Sequence, residues 1–480
     1  MTDSWDAERE VPAAAPSVSS GVFARHPRLV LGAALSVAFV LLGTGAVFAG
    51  MSSATSPPVA APTSSSTPTP TIEPRAVPET LPAASRLRTC SVVGVAADSR
   101  LDTFSGYVVN ALTGEALFDR GGTIPQRTGS VLKVVTAAAV LNALGADGRL
   151  TTQVLDGATP GVIVLKGGGD PTLATTPNTF YDGAPQIADL ASAAMSAYQA
   201  AHPGVPITQL VLDSTMWNPD DRWDSSWLRK EQADGYQAEV TALMVNGGRA
   251  DPSSSVSYRT GDPIGEAGAA FAAAAGLSGI AITQGTAPSG AVLAQVESQP
   301  ISTLVSQMLL SSDNILGENL ARVTSVALGF DGSSASLALA IPQALANYGL
   351  DVSNVAIRDG SGLSDLNAVS PQFITALMMK VRAGENGLGV IFGALPVAGE
   401  SGTLASRFTG ANEIARGSVI AKTGWLDAAY TLAGVVNASD GTPLAFAFYS
   451  IRDGISSDAK QAQDSLATAL FICGDNLSNN

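Results

Sequence analysis

Histidine is nearly missing from this chain: among 480 residues only His26 and His202 occur. A Ser-His-Asp relay or an H-E-x-x-H zinc site would have to be built on one of them. His26 sits in the N-terminal tail, and His202 lies in A-A-H-P-G-V-P, which reads as a surface loop. Any hydrolytic chemistry is therefore expected to use a different base. Cysteine is as scarce, with Cys90 and Cys473 alone and no C-x-x-C, so neither a metal site nor another cofactor is expected. Basic charge is also short. Lys+Arg at 26 against Asp+Glu at 41 leaves −15, with no basic run to offset it. That is the wrong sign for gripping a phosphate backbone, which excludes nucleic acid as an expected partner.

Charged residues make up only 14% of the chain and hydrophobic residues 46%, and much of that imbalance is local. Residues 29–51 carry no charge, and a run of that length spans the roughly 30 Å hydrocarbon core of a bilayer as a helix. Arg25 and Arg28 precede it, which places residues 1–28 in the cytoplasm and everything after Met51 outside. V-F-A at 47–49 is a passable cleavage site, so the run is either an uncleaved anchor or a cleaved signal segment. Its length and the tail before it favour the anchor. Residues 52–88 are rich in Pro, Ser, Thr and Ala and read as an extended linker with too few bulky apolar groups for a core. Beyond it, Cys90 and Cys473 stand near the two ends of the globular part. Outside the membrane they either form a disulfide or remain two buried thiols.

The globular part is long enough for two folded units. S-G-Y-V-V-N-A, the turn L-T-G and E-A-L-F-D predict a β-hairpin, and 131–144 predicts an alanine-rich helix stopped by Gly145. From Thr151 to about Val296, short strand signals such as V-I-V-L-K and L-V-L-D alternate with Gly and Pro. This predicts a mostly-β insertion over 151–296. Helical patterns at 301–310 and 315–328 meet at S-S-D-N. S-V-I-A-K-T-G, T-L-A-G-V-V-N-A and P-L-A-F-A-F-Y-S-I then predict three strands, and a last helix is expected at about 458–471.

Ser130 and Lys133, in T-G-S-V-L-K, stand at i and i+3 and share one helix face, so the lysine amine can reach the serine hydroxyl. That pair can replace a histidine base if the amine is neutral. Desolvation beside a second cation depresses a lysine pKa, and a shift of three units corresponds to roughly 4 kcal/mol. At a helix start, free N–H groups also favour a developing oxyanion. Alone the pattern is weak, since an N-cap serine with a solvated lysine looks the same. Ser312-Asp313-Asn314 at a helix corner and Lys422-Thr423-Gly424 on a strand follow in order. S-x-x-K, S-D-N and K-T-G occur together in class A β-lactamases and penicillin-binding proteins.

With G-G-G-D-P-T-L at 167–173, R-D-G-S-G-L-S at 358–364 and L-P-V-A-G-E-S-G-T-L at 395–404, the chain resembles the class C low-molecular-mass penicillin-binding proteins. These are D-alanyl-D-alanine carboxypeptidases and endopeptidases with a large insertion between the first two motifs. The resemblance implies an α/β fold. Its β-lactamase/transpeptidase-like catalytic domain, an antiparallel sheet flanked by helices, would come from 89–150 and 297–480, and the insertion would form an accessory domain. It implies Ser130 as nucleophile on the penultimate D-alanine carbonyl of peptidoglycan stem peptides, Lys133 as base, Ser312 as proton relay and Asn314 as a partner of the substrate amide. Lys422 and Thr423 would hold the terminal carboxylate, Gly424 would let substrate lie along the strand, and the N–H groups of Ser130 and Trp425 would form the oxyanion hole. β-Lactams would acylate Ser130. Two departures stand out: T-G precedes the serine where the family has P-A, and Trp425 follows K-T-G where it has threonine. A β-lactamase, or a silent wall-binding scaffold of the same fold, are the competing readings. Asp170 and Asp359 are expected to be turn and cap residues.

Overall fold

The computed structural model describes residues 87–286 and 290–478, all within the unit Ala84–Asn480. The predicted cytoplasmic tail, membrane segment 29–51 and most of the linker lie outside the described residues. Among the described residues no helix is long and apolar enough to cross a membrane.

The chain begins with the predicted hairpin, β1 (Thr103–Asn110) and β2 (Ala116–Arg120), and then enters α1 (Leu132–Leu144). Every residue of α1 from Leu132 to Leu141 is buried, as expected of a helix apolar all round and packed on all sides. Gly145, at φ 74°, ends it. Next come β3 (Thr151–Asp156), β4 (Val162–Lys166), α2 (Ile187–Ala201), β5 (Gln209–Asp213), α3 (Pro263–Ala274), β6 (Ala281–Gln284) and β7 (Val292–Glu297). The helices α4 (Ile301–Ser311), α5 (Asn314–Ala327), α6 (Leu337–Ala346) and α7 (Pro371–Ala383) follow. β8 (Val419–Leu426), β9 (Ala429–Asn437), β10 (Pro443–Ile451) and α8 (Asp458–Cys473) complete it.

Two five-stranded sheets result. The first, in the order β2-β1-β10-β9-β8, is antiparallel throughout. Its interior strands are buried on both faces, so successive side chains feed different cores. Along β10, Leu444, Phe446 and Phe448 join a core with Leu466 and Leu470 of α8. Ala445, Ala447 and Tyr449 join a second core with α1 and α7. Cys90 and Cys473 are disulfide-bonded with their Cα atoms 5.5 Å apart. Beside them Cys90–Ser91 pairs in parallel with Leu477–Ser478.

The second sheet, ordered β6-β5-β4-β3-β7, is drawn entirely from 151–297 and is mixed: β4, β5 and β6 run parallel. The expectation that this segment is mostly β is corrected here, because α2 (15 residues) and α3 (12 residues) cover one face of the sheet. The Gly and Pro punctuation drew attention to turns. It hid the stripe Ile187, Leu190, Ala191, Ala194 and Tyr198, whose spacing is helical and whose members are all buried. In α3, Pro263 at the first turn and an Asp262 side chain accepting from Gly265 N start the helix. Among the described residues the architecture is a mixed α/β fold with two five-stranded sheets and one two-stranded pairing.

Candidate active site

Ser130 lies on a short 3-10 turn, Gly129–Val131, that leads into α1. The turn is pressed against β8. A Cβ on Gly129, which has φ +49°, would come within 2.9 Å of Trp425 N, and one on Gly424 within 2.6 Å of Thr128 O and 2.2 Å of Thr431 Oγ1. Thr431 Oγ1 also donates to Thr128 O at 2.6 Å. Glycine is required at both positions by close backbone approach, which gives the T-G before the serine a physical reason.

Lys133 is fully buried beneath the serine. Its Nζ lies 2.9 Å from Ser130 Oγ, 2.7 Å from Asn314 Oδ1 and 2.7 Å from the Ser361 carbonyl. Asn314 Oδ1 and the Ser361 carbonyl can only accept. A neutral amine has two N–H donors and one lone pair, so satisfying both acceptors aims the lone pair at the Ser130 hydroxyl. Burial pushes the Lys133 pKa down to about 8, against the opposing pull of Asp359, Glu318 and Asp313. Lys422, equally buried, is held well below its ordinary value by desolvation and then by Lys133. Its Nζ donates to Ser312 Oγ at 2.8 Å and to the Thr423 carbonyl at 2.8 Å.

The S-D-N corner forms because α4 ends with Ser312 in the left-handed region (φ 59°, ψ 36°) and α5 restarts at once, capped by Asp313 Oδ1 accepting from Leu316 N at 2.9 Å. The other Asp313 oxygen accepts from Arg249 Nη2 at 2.6 Å and from Tyr181 OH at 3.1 Å. Arg249 and Asp313 are each only 1% exposed. Burial raises the Asp313 carboxyl, but Arg249 and then Arg259 outweigh it and leave it at about 2.

The 358–364 loop supplies the carbonyl that faces Lys133. It is pinned by Asp359, whose Oδ1 accepts from Gly362 N (2.8 Å) and Asn367 Nδ2 (2.8 Å) and whose Oδ2 accepts from Ser364 N (2.6 Å). Glu318 of α5 accepts from Ser361 N at 2.8 Å, and Thr136 of α1 donates to Gly360 O at 2.6 Å. Burial, then Asp359, push the Glu318 carboxyl up to about 8. Asp170, in the G-G-G-D-P-T-L turn, accepts from Thr172 N and Oγ1.

A cleft of about 510 Å³ opens over these groups. Ser130, Ser312, Asn314, Thr423 and Trp425 line it from one side, and Phe180, Tyr236 and Arg249 of the 151–297 segment line it from the other. Trp425 is half exposed at its edge, and Thr423 Oγ1 lies 2.8 Å from Thr403 Oγ1. All eight residues named from the three motifs and the position after them thus converge on one place. His202 does not: it pairs with Asp156 at 2.7 Å on the second sheet. Among the described residues no group of three or more His, Cys, Asp and Glu side chains is placed to hold a metal. The arrangement offers a serine hydroxyl within hydrogen-bonding distance of a buried amine, and a second buried amine, beside an open cleft, which suits acyl transfer.

Sequence reasoning missed Ser361, Glu318, Thr403 and Arg249. Glu318 carried a signal, since it stands one helical turn after Asn314 on α5. Ser361 acts through its carbonyl, which no side-chain motif reports.

A family model described as D-Ala-D-Ala carboxypeptidase 3 (S13) matches residues 89–264 and 250–470. A carboxypeptidase of Mycobacterium tuberculosis is 34% identical over 395 residues, covering 80% of this chain and 84% of that protein. Carboxypeptidase DacB of Mycolicibacterium smegmatis is 34% identical over 419 residues, covering 84% and 88%. Among solved structures, penicillin binding protein 4 of Haemophilus influenzae superposes with a TM-score of 0.65 at 19% identity over 79% of this chain and 99% of that one, a likeness of fold.

Proposed function

Because the chain belongs to the D-Ala-D-Ala carboxypeptidase 3 (S13) family, we propose that it is a serine-type D,D-carboxypeptidase acting on peptidoglycan stem peptides through an acyl-enzyme on Ser130. The observation that carries this reading is the three-way anchoring of Lys133 Nζ by Ser130, Asn314 and the Ser361 carbonyl.

In the proposed reaction the Lys133 lone pair takes the Ser130 hydroxyl proton as Oγ attacks the carbonyl of the penultimate D-alanine. Negative charge passes to that carbonyl oxygen, which receives hydrogen bonds from the N–H groups of Ser130 and Trp425. Losing one such donor costs about 10²–10³ in rate. As the tetrahedral species collapses, its C–N bond breaks and the proton travels by way of Ser312 to the leaving D-alanine amine. Water then attacks the ester, with Lys133 as base, releasing the shortened peptide and restoring Ser130. The Lys422–Ser312 contact supports this route, since it sets a buried amine directly against the proposed relay hydroxyl. An incoming carboxylate supplies the counter-charge that the buried amine lacks, so Lys422 takes up a proton as substrate binds. Thr423 and Asn314 would complete the grip, on the carboxylate and on the substrate amide.

A β-lactam presents its strained carbonyl to Ser130 in the same way. Its amide nitrogen stays tethered after ring opening, so the acyl-enzyme persists. In this reading 89–150 with 297–480 form the catalytic part and 151–296 an inserted accessory part. The charge-free run 29–51 places them outside the cytoplasmic membrane, tethered if it is retained and secreted if it is cleaved. Intact-mass spectrometry of the purified chain after incubation with benzylpenicillin tests the assignment. A single adduct absent from Ser130→Ala, together with D-alanine release from a D-Ala-D-Ala peptide, is the expected result. No adduct and no release would refute it.

A further inference from the structure

The base at Lys133 is set by more than its own motif, and one of its supports comes from outside the part that carries the three motifs. Trp227, in the 151–297 segment, is 5% exposed, and its indole Nε1–H donates to Asp359 Oδ2 at 2.9 Å. Just before it in the chain, Asp224 pairs with Arg358 at 2.8 Å, and Ser226 Oγ donates to Ser364 Oγ at 2.7 Å. Three successive contacts thus hold the 358–364 loop from the inserted segment, and only Trp227 reaches the carboxylate that organises the loop. The Asp359 oxygen that receives it also takes Ser364 N, and the other oxygen of that carboxylate takes Gly362 N and Asn367 Nδ2. The carbonyl that accepts from Lys133 belongs to Ser361, between Asp359 itself and Gly362, the first residue it pins.

We propose that Trp227 is a positioning residue for the acylation step, acting through Asp359 and the Ser361 carbonyl to keep the Lys133 lone pair aimed at Ser130. The inference rests on the reading of Lys133 as the base. With Asp359 one donor short, the loop that carries the Ser361 carbonyl gains freedom, and Lys133 spends less time with both N–H groups held and its lone pair on the hydroxyl. Thr423, proposed to hold the terminal carboxylate, lies outside this chain of contacts, with its Oγ1 against Thr403. Binding is therefore expected to stay constant while the chemical step slows.

The experiment is single-turnover acylation by benzylpenicillin over a range of concentrations, followed in the full chain. It compares wild type, Trp227→Phe, and protein carrying 3-benzothienylalanine or 5-fluorotryptophan at position 227. The benzothienyl ring keeps the shape of indole without the N–H, and the fluorinated ring keeps both. The limiting rate constant is expected to fall about tenfold for Trp227→Phe and for the benzothienyl protein, part of the roughly 10²-fold that an ångström of misplacement costs. Half-saturating concentration should be unchanged, and fluorotryptophan should restore the rate. A single-turnover rate constant is independent of how much protein is folded, so loss of packing alone would not reproduce this pattern. A benzothienyl protein that acylates at the wild-type rate overturns the inference while leaving the proposed function intact. A wild-type chain that forms no adduct overturns both.

Discussion

Replacing Arg249 by methionine removes the positive partner of a carboxylate with almost no access to water. Arg249 Nη2 lies 2.6 Å from Asp313 Oδ2, both side chains are 1% exposed, and Asp313 keeps only Tyr181 OH and Leu316 N afterwards. Breaking a buried pair from one side costs roughly 3–5 kcal/mol. Part of that is electrostatic and can be worked from the titration. In the folded protein Asp313 sits at about 2 against an ordinary 3.8, a depression corresponding to about 2 kcal/mol. Because the folded value is the lower one, this contribution is complete above pH 3.8 and is lost as pH falls towards 2. Without Arg249 only Arg259 opposes burial, so the Asp313 pKa rises and the deficit relative to the wild type is greatest at neutral pH. Urea unfolding of Arg249→Met should therefore show a deficit of roughly 3–5 kcal/mol at pH 7 that narrows by about 1 kcal/mol or more near pH 3. Arg249→Met/Asp313→Asn should be more stable at pH 7 than Arg249→Met alone, because no uncompensated anion is left in the interior. A pH-independent deficit, or a double variant weaker than the single one, would show that packing against Phe180 and Tyr181, and not charge, is what Arg249 supplies.

Acylation by benzylpenicillin should slow about tenfold per pH unit below about 8, because the Lys133 ammonium has no lone pair; stopped-flow rates that stay flat between pH 5 and 8 would exclude Lys133 as the base. Gly424→Ala should lower the acylation rate by at least about 10²-fold, since its Cβ would meet the Thr128 carbonyl at 2.6 Å and misplace the serine turn. Near-normal kinetics in that variant would mean that the turn and β8 can separate freely. The Cys90→Ser/Cys473→Ser protein should lose about 2–5 kcal/mol in chemical denaturation, because the bridge closes a loop of 383 residues in the unfolded chain.

Much of the site was legible because three motifs carry their side chains on predictable local structure. Ser130 and Lys133 needed only the i, i+3 spacing of a helix start, and Ser312 and Asn314 only the gap between two helical patterns. The strands of the first sheet were readable from their apolar runs. What escaped acts across long sequence distances. Arg249 reaches Asp313, and Trp227 reaches Asp359, over 64 and 132 residues, and neither contact leaves a local pattern. The two long helices of the 151–297 segment were missed because their buried faces carry few large apolar residues, Ile187, Leu190 and Tyr198 in one and Ile264 and Phe271 in the other, and the Gly and Pro around them drew the reading to turns. In sequence the T-G before Ser130 stood out only as a departure from the family's P-A; in three dimensions Gly129 is where the serine turn touches the backbone of β8.

The alternation along β10 has a consequence for a place it never touches. A slip of one residue would send Phe446 and Phe448 into the space built for Ala445 and Ala447, and the alanines into the space built for rings. The strand is in effect a gauge with one permitted setting. β9 is aligned on β10 and β8 on β9, residue by residue, from Ala445 opposite Val435 to Ala433 opposite Lys422. The position of β8 relative to Ser130 is thus inherited from the sizes of side chains two strands away. Mutations that even out those sizes should degrade catalysis before they unfold the protein.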